Sequence, residues 1–125
     1  MGQYYKVVNL DKKEYLHPHK FDDGMKLLEF GCSREGTMTG LSILLAEGNG
    51  RGGGDLHSDN PIIGSWARDR IAVVGDYADN ENGLENNMFS ISESWEDISL
   101  KVFNAMLDDV YMKESYRRRR ENRYE

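Results

Sequence analysis

The apolar run Arg70–Gly75 constrains the fold of this chain more than any other segment. Its residues Ile-Ala-Val-Val are apolar without interruption, a pattern typical of a strand whose two faces are both buried. The run therefore predicts a central strand. A chain of 125 residues is long enough for one domain, so this strand and all other elements share a single core.

The N-terminal part of the chain predicts a β-hairpin. Tyr4–Asn9 is rich in β-forming residues, a polar turn follows it, and Glu14–Phe21 is predicted to return as the second strand. Pro18 lacks a backbone N–H, so it places this strand at a sheet edge or ends it early. The next apolar segment, Met25–Phe30, fits either a strand or one helical turn.

Helical periodicity is found in two later segments. In Thr37–Glu47 the apolar residues recur at spacings of three and four, and Gly48 stands where a left-handed cap is expected. Trp95–Val110 carries one amphipathic stripe, with Ser94 as its predicted N-cap. Between these helices, Met88–Ser92 alternates in the way of a short edge strand.

These elements predict an α+β fold: a small, mostly antiparallel sheet with about two helices, the C-terminal helix packed on one face. Residues 1–112 are predicted to form a single compact domain, and residues 113–125 a charged tail that frays. No apolar run is long enough to span a membrane, no signal-peptide pattern begins the chain, and Cys32 is the one cysteine. A cytoplasmic location is the expectation.

The net charge of −6 is unevenly distributed. Residues 113–125 hold six basic and three acidic side chains, a sum of +3, so the remaining 10 basic and 19 acidic side chains give residues 1–112 a charge of −9. Such a body repels phosphate backbones and attracts basic partners. Nucleic acid is therefore not the predicted partner, although the arginine-rich tail alone would favour it.

The glycine-rich stretch after Gly48 predicts a loop. Two interpretations are open: a helix cap followed by a loop, or a ligand-binding lid in which backbone N–H groups of Gly52 and Gly53 surround an anion and Arg51 supplies a positive charge. The stretch follows a predicted helix and lacks Gly-Lys-Ser/Thr, so neither the dinucleotide-binding motif nor the phosphate-binding Walker loop fits.

Trp66 and Arg70 form a second candidate ligand site. An aromatic ring close in sequence to arginines combines stacking with bidentate hydrogen bonding, as in nucleotide and partner-protein sites. The alternative is that Trp66 fills the core where a strand begins, while Asp69 pairs with an arginine.

Carboxylates and a histidine form the candidate metal site. Asp55 and His57 alternate along the chain, and Asp76 and Asp79 follow the predicted strand at its carboxyl end. Asp-x-His followed by Gly-Asp-x-x-Asp resembles the first two motifs of the calcineurin-like metallophosphoesterases. The resemblance implies that Asp55 and His57 hold one metal ion and that Asp76 bridges two, which would activate water against a phosphate ester.

Most of the chain, from its Met-Gly-Gln-Tyr-Tyr-Lys start to Gly-Ser-Trp-Ala-x-Asp-Arg-Ile, resembles a group of short uncharacterised proteins of bacteria and their phages. The chain has no Asn-His pair, which metallophosphoesterases carry. The predicted function is therefore a binding protein that engages a partner protein or a small anionic ligand through the Gly-rich loop and an acidic face. Its expected biological form is a phage or mobile-element accessory protein that inhibits a host defence system. A metal-dependent phosphoesterase or nucleotide-binding enzyme is the alternative, with a divalent metal as its cofactor, and a second copy of the chain is a further candidate partner.

Overall fold

The computed structural model describes residues 3–48, 55–77 and 88–124. In chain order the elements are β1 (Tyr5–Asn9), β2 (Glu14–Leu16), α1 (Leu27–Gly31), α2 (Thr37–Leu45), β3 (Ile71–Gly75), α3 (Met88–Ile91), β4 (Glu96–Asp97), α4 (Ser99–Leu107) and α5 (Val110–Tyr124). The predicted α+β class is confirmed. The strands form one mixed sheet in the order β3-β1-β2-β4.

The predicted hairpin is confirmed, and its turn is stabilised by one side chain. Strands β1 and β2 pair antiparallel with Val7 opposite Leu16. After β1, the Asn9 carboxamide oxygen accepts hydrogen bonds from the N–H groups of Asp11 and Lys12, at 2.9 and 2.8 Å. These bonds reverse the chain as an Asx turn does. Strand β2 ends at Leu16, because a 3₁₀ turn starts at Pro18.

The prediction of a central strand at Ile71–Gly75 is wrong in its position. The segment is a strand, but it pairs only with β1 in the described sheet and lies at the sheet edge, while β1 is central. The apolar run of β3 is therefore not explained by a central position in the sheet, but by contacts on the faces of the strand. Ile71 packs against the main core on one face, and α3 contacts β3 from the chain segment that follows it. Val73 remains 46% exposed.

The main core lies between one face of the sheet and helices α2 and α4. It comprises Val7, Leu16, Phe21, Phe30, Leu41, Leu44, Trp66, Ile98 and Val102. Helix α2 confirms the periodic pattern, and its internal Gly40 has a packing role. A Cβ atom at Gly40 would lie 2.8 Å from Phe21 and 3.0 Å from Val102, so a larger residue would separate α2 from α4.

A second, smaller layer buries a lysine. Lys6 on β1 is only 3% exposed, and its ammonium group lies 4.4 Å from the centre of the Tyr15 ring and 4.5 Å from that of Phe89. Burial lowers the pKa of Lys6, while the charges of Glu93 and Asp97 oppose that effect. The two rings hold the cation by its attraction to their faces, which attaches α3 to the sheet.

The C-terminal third differs from its predicted structure. Met88–Ser92 is not a strand: α3 covers Met88–Ile91, and a 3₁₀ turn follows. The predicted helix Trp95–Val110 is two helices, α4 and α5, preceded by the short strand β4, which pairs parallel with β2. Helix α4 begins after Ile98 rather than after Ser94, and the Asp97 carboxylate accepts the N–H of Ser99, the first helical residue, at 2.9 Å.

The segment after residue 112, which the sequence predicts to fray, lies in a helix. Helix α5 continues to Tyr124, and its side chains reach the rest of the protein. The Phe103 and Tyr116 rings meet edge to face with centroids 5.0 Å apart. None of the described helices combines the length and the apolar character that crossing a membrane requires.

Candidate functional site

A groove of about 640 Å³ runs between α2 and the start of α5. Its volume is in the range typical of ligand sites. The described residues that line it form four groups: Arg34 and Glu35 before α2, the α2 residues Thr39, Ser42, Ile43 and Ala46, then Asp55 and Leu56, and finally Asp109, Tyr111, Met112 and Ser115 around the start of α5.

The α2 wall is fixed by a buried carboxylate. The α2 lining residues recur every three or four positions, so they share one helical face. Asp23 has a fully buried side chain, and its Oδ2 accepts the N–H and the hydroxyl of Thr37, the first α2 residue, both at 2.7 Å. This carboxylate satisfies N–H and hydroxyl donors at the start of the helix and also interacts favourably with its dipole.

The opposite wall begins at Asp109, the N-cap of α5. Its carboxylate accepts the N–H of Met112 at 3.0 Å and the N–H of His57 at 3.3 Å. The hydrogen bond from Met112 lowers the pKa of Asp109; burial works against this, and the His57 and Tyr111 N–H groups add to the lowering. Asp109 therefore starts the helix and also attaches residues 55–57 to the groove.

One end of the groove contains a residue in an unusual backbone conformation. Glu35 has φ +56° and is 5% exposed. Its carboxylate accepts the hydroxyl of Ser115 and lies 3.1 Å from Nε of Arg34. A left-handed conformation is costly for a residue with a side chain, and it persists here because Glu35 has partners on both sides.

Arg119 of α5 holds this end of the groove together by hydrogen bonds. Its guanidinium donates to the backbone oxygens of Arg34, Glu35 and Asp22, at 3.0, 3.2 and 3.0 Å. It also donates to Oδ1 of Asp23 at 2.7 Å. Four acceptors on one side chain hold α5 against the start of α2, so Arg119 positions both walls.

The charges in the groove are mostly negative. Among the described residues that line it, three carry carboxylates, Glu35, Asp55 and Asp109, and one carries a guanidinium, Arg34. Among them run apolar surfaces of Ile43, Leu56 and Met112 together with the 80% exposed Tyr111. Such a surface attracts a positive charge beside an apolar group and repels a free anion.

The predicted metal ligands occupy different places. Asp55 lines the groove, and His57 is tied to Asp109. Asp76 extends the sheet instead: its N–H donates to the Tyr4 carbonyl at 2.9 Å, and its Oδ1 accepts the Tyr4 N–H at 3.0 Å. Over residues 3–48, 55–77 and 88–124, no three His, Cys, Asp or Glu side chains group closely enough to hold a metal ion.

The position of Trp66 does not support a ligand-binding role. It supports the alternative interpretation, in which Trp66 fills the core. Trp66 is 0% exposed, and its Nε1 donates to Glu14 at 2.8 Å. Arg70 is exposed, but its guanidinium is bonded to Asp11 at 2.9 and 2.7 Å. Asp69 pairs with Lys12 rather than with an arginine.

The remaining candidates, Arg51, Gly52, Gly53 and Asp79, lie outside the described residues. Sequence reasoning missed Glu35, Asp109 and Arg119. For Asp109 a signal was present, because an Asp-Asp pair interrupting a periodic helix is typical of a new N-cap. For Arg119 the sequence held no signal, because its neighbours Arg117, Arg118 and Arg120 are the same residue type.

Comparisons of the chain with protein-family models, with curated proteins and with solved structures find no match. The resemblances to metallophosphoesterases and to the bacterial and phage proteins therefore stay predictions. Functional inference rests on the groove and its charges.

Proposed function

We propose that the chain is a binding protein that engages a partner protein through the groove between α2 and α5. The observation that carries this proposal is the lining of the groove, in which apolar side chains alternate with an excess of carboxylates. A groove of this kind fits a partner segment that presents a lysine or arginine next to an apolar side chain.

The charge of the groove supports a partner protein over a small anionic ligand. Asp55 and Glu35 line the groove and would repel a phosphate or carboxylate, and Arg34 already pairs with Glu35. The body of the protein, at −9, extends the same preference to longer range. A basic segment would associate faster with this surface, and opposite charges would stabilise the complex once it has formed.

Exposed side chains at the groove rim support the same proposal. Val110 and Tyr111 are 77% and 80% exposed at the start of α5, next to the groove residue Met112. Tyrosine and methionine are enriched in protein interfaces, because they offer a large contact area that adapts to its partner. In biological terms, the proposed role is that of an accessory protein that binds and inhibits a component of a host defence system.

Selection of random peptides displayed on phage against the native protein tests the proposal. We expect enriched peptides in which Lys or Arg stands beside Leu, Met or an aromatic residue. One enriched peptide is then titrated against the Ser42→Arg variant, in which an exposed groove residue of α2 carries a long cation. The affinity of the peptide for this variant should fall by about tenfold or more. The added arginine repels the basic peptide and also occupies part of the groove.

Leu100→Arg is the matched control, since it places the same side chain on an exposed position of α4 outside the groove. The peptide should bind this variant as it binds the native protein. Enrichment of acidic peptides, no enrichment at all, or equal binding to Ser42→Arg would each contradict the proposal.

A further inference from the structure

The three described groove residues that carry carboxylates differ in their exposure to solvent. Glu35 and Asp109 are each only 5% exposed, whereas Asp55 is exposed. A buried carboxylate loses its water and depends on hydrogen bonds or ion pairs within the protein. An exposed carboxylate stays accessible to a partner. The three carboxylates are therefore not equivalent for binding.

The two buried carboxylates join parts of the groove to each other. That of Glu35 accepts the hydroxyl of Ser115 on α5. That of Asp109 accepts the N–H groups of Met112 and His57, at 3.0 and 3.3 Å. A cation of a partner would have to compete with these bonds, and each broken bond leaves a polar group unpaired. The cost of breaking them makes both residues poor contact points for a partner.

Arg34 is the one cation among the described residues that line the groove. Its Nε lies 3.1 Å from the Glu35 carboxylate. Opposite charges at this distance largely cancel each other for a partner that approaches through solvent. The charge of Asp109 is offset by the N–H groups that it accepts. Within the described lining, the charge that a partner meets is therefore mainly that of Asp55.

Asp55 is followed in the chain by an apolar residue of the same groove, Leu56. The N–H of His57 donates to Asp109, which ties this segment to the start of α5. An exposed carboxylate and an apolar side chain thus neighbour each other on one attached segment. Such a segment fits a partner in which a cationic side chain stands beside an apolar one.

We propose that Asp55 determines the charge specificity of the groove, by forming an ion pair with a lysine or arginine of the partner while the adjacent apolar side chain of the partner packs against Leu56. This inference rests on the proposed function and assigns its charge selection to one residue. An accessible ion pair contributes little affinity but discriminates strongly against the opposite charge, because like charges at the same place repel. The preferred charge of a peptide should therefore follow the charge of residue 55.

The test uses a peptide selected on the native protein, in which Lys or Arg stands beside an apolar residue. Asp55→Asn removes the charge at nearly constant shape, so the dissociation constant should rise by about fivefold. Asp55→Lys brings two cations together, and the dissociation constant should rise by about thirtyfold or more. In 1 M salt both differences should shrink, because the Debye length is then only about 3 Å.

Asp59→Lys is the matched control. Asp59 is also exposed, lies four residues further along the chain and lines a different cavity. This variant changes the net charge of the protein as Asp55→Lys does, but outside the groove. The selected peptide should bind it nearly as it binds the native protein.

An exchange of charges tests the contact directly. In a second peptide, Glu replaces the selected Lys or Arg. This peptide should bind Asp55→Lys about tenfold more tightly than it binds the native protein, because opposite charges meet again. Circular dichroism checks that each variant keeps the native fold, as expected for exposed positions.

The outcomes separate this inference from the proposed function. If no basic peptide can be selected on the native protein, the proposed function fails, and the inference fails with it. If the selected peptide binds the native protein and Asp55→Lys equally well, only the inference is overturned. Equal losses in Asp55→Lys and Asp59→Lys would also overturn it, because the effect would then come from the net charge of the protein.

Discussion

Helices α4 and α5 are neighbours in the chain, but different forces attach them to the protein. Helix α4 buries Val102, Ala105 and Met106 completely against the core. The described side chains of α5 include none that is buried, and Arg119, Ser115 and Tyr116 attach this helix through polar and ring contacts. Burial of apolar area stabilises α4, whereas α5 depends on a few directional bonds whose net contribution is smaller.

The largest effect should come from α4. Met106→Ala removes a fully buried side chain and leaves a cavity, so the free energy of unfolding should fall by about 3 kcal/mol. Urea unfolding followed by circular dichroism measures this change. Leu100→Ala on the same helix is the control, because Leu100 is 57% exposed and its truncation should change stability by less than about 0.5 kcal/mol. Equal losses would mean that α4 is not the core helix described.

Arg119→Ala should have the next largest effect, of about 2 kcal/mol. It leaves the buried carboxylate of Asp23 without its cation and frees three backbone oxygens. Hydrogen exchange should show the loss of protection mainly in α5, with α4 nearly unchanged. Arg118→Ala, at an exposed neighbouring arginine, is the control. Uniform loss of protection across both helices would contradict separate modes of attachment.

Asp109→Asn should cost about 1 to 2 kcal/mol at neutral pH, because a carboxamide has one acceptor oxygen for the two N–H groups, those of Met112 and His57, that the carboxylate accepts. The pKa of Asp109 is lowered on folding, so its ionised form stabilises the protein above its unfolded value of about 3.8, and that contribution disappears as pH falls through the lower folded value. Thermal melts between neutral and acid pH should thus converge for the two proteins. A constant difference at all pH values would exclude this linkage.

The smallest effect should come from Arg117→Ala. Arg117 pairs with Glu114 and Glu121 on the surface of α5, and its side chain is 54% exposed. Surface pairs of this kind are screened by water and salt. We expect no measurable change in the melting temperature at physiological salt. A loss comparable to that of Arg119→Ala would show that α5 depends on its helical ion pairs more than on its docking contacts.

The sequence predicted those elements whose cause is local. The hairpin turn at Asn9, the periodic helix α2 and the apolar stripe of α4 depend on residues a few positions apart. The position of β3 was not predictable in this way, since an apolar run is compatible with a central strand or with an edge strand covered on its faces. Asp108 and Asp109 signalled the break between α4 and α5. The amphipathic periodicity continues across them, however, and it led to the prediction of a single helix.

The groove was not predictable from the sequence, although one candidate, Asp55, lines it. Its walls are assembled by contacts between distant residues: Arg119 reaches Asp23 across 96 positions, and Asp109 reaches His57 across 52. A single sequence gives no means to decide which of several arginines makes such a contact.

By itself, the sequence determined the α+β class, one core, the first hairpin and the charge division between body and tail, because composition and short-range periodicity control these properties. Only the tertiary structure decided that the charged tail forms a docked helix, that Trp66 is buried, and that β3 pairs with β1 alone among the described strands. These outcomes depend on which surfaces meet, and that depends on the free energy of the whole fold rather than on the local preference of any segment.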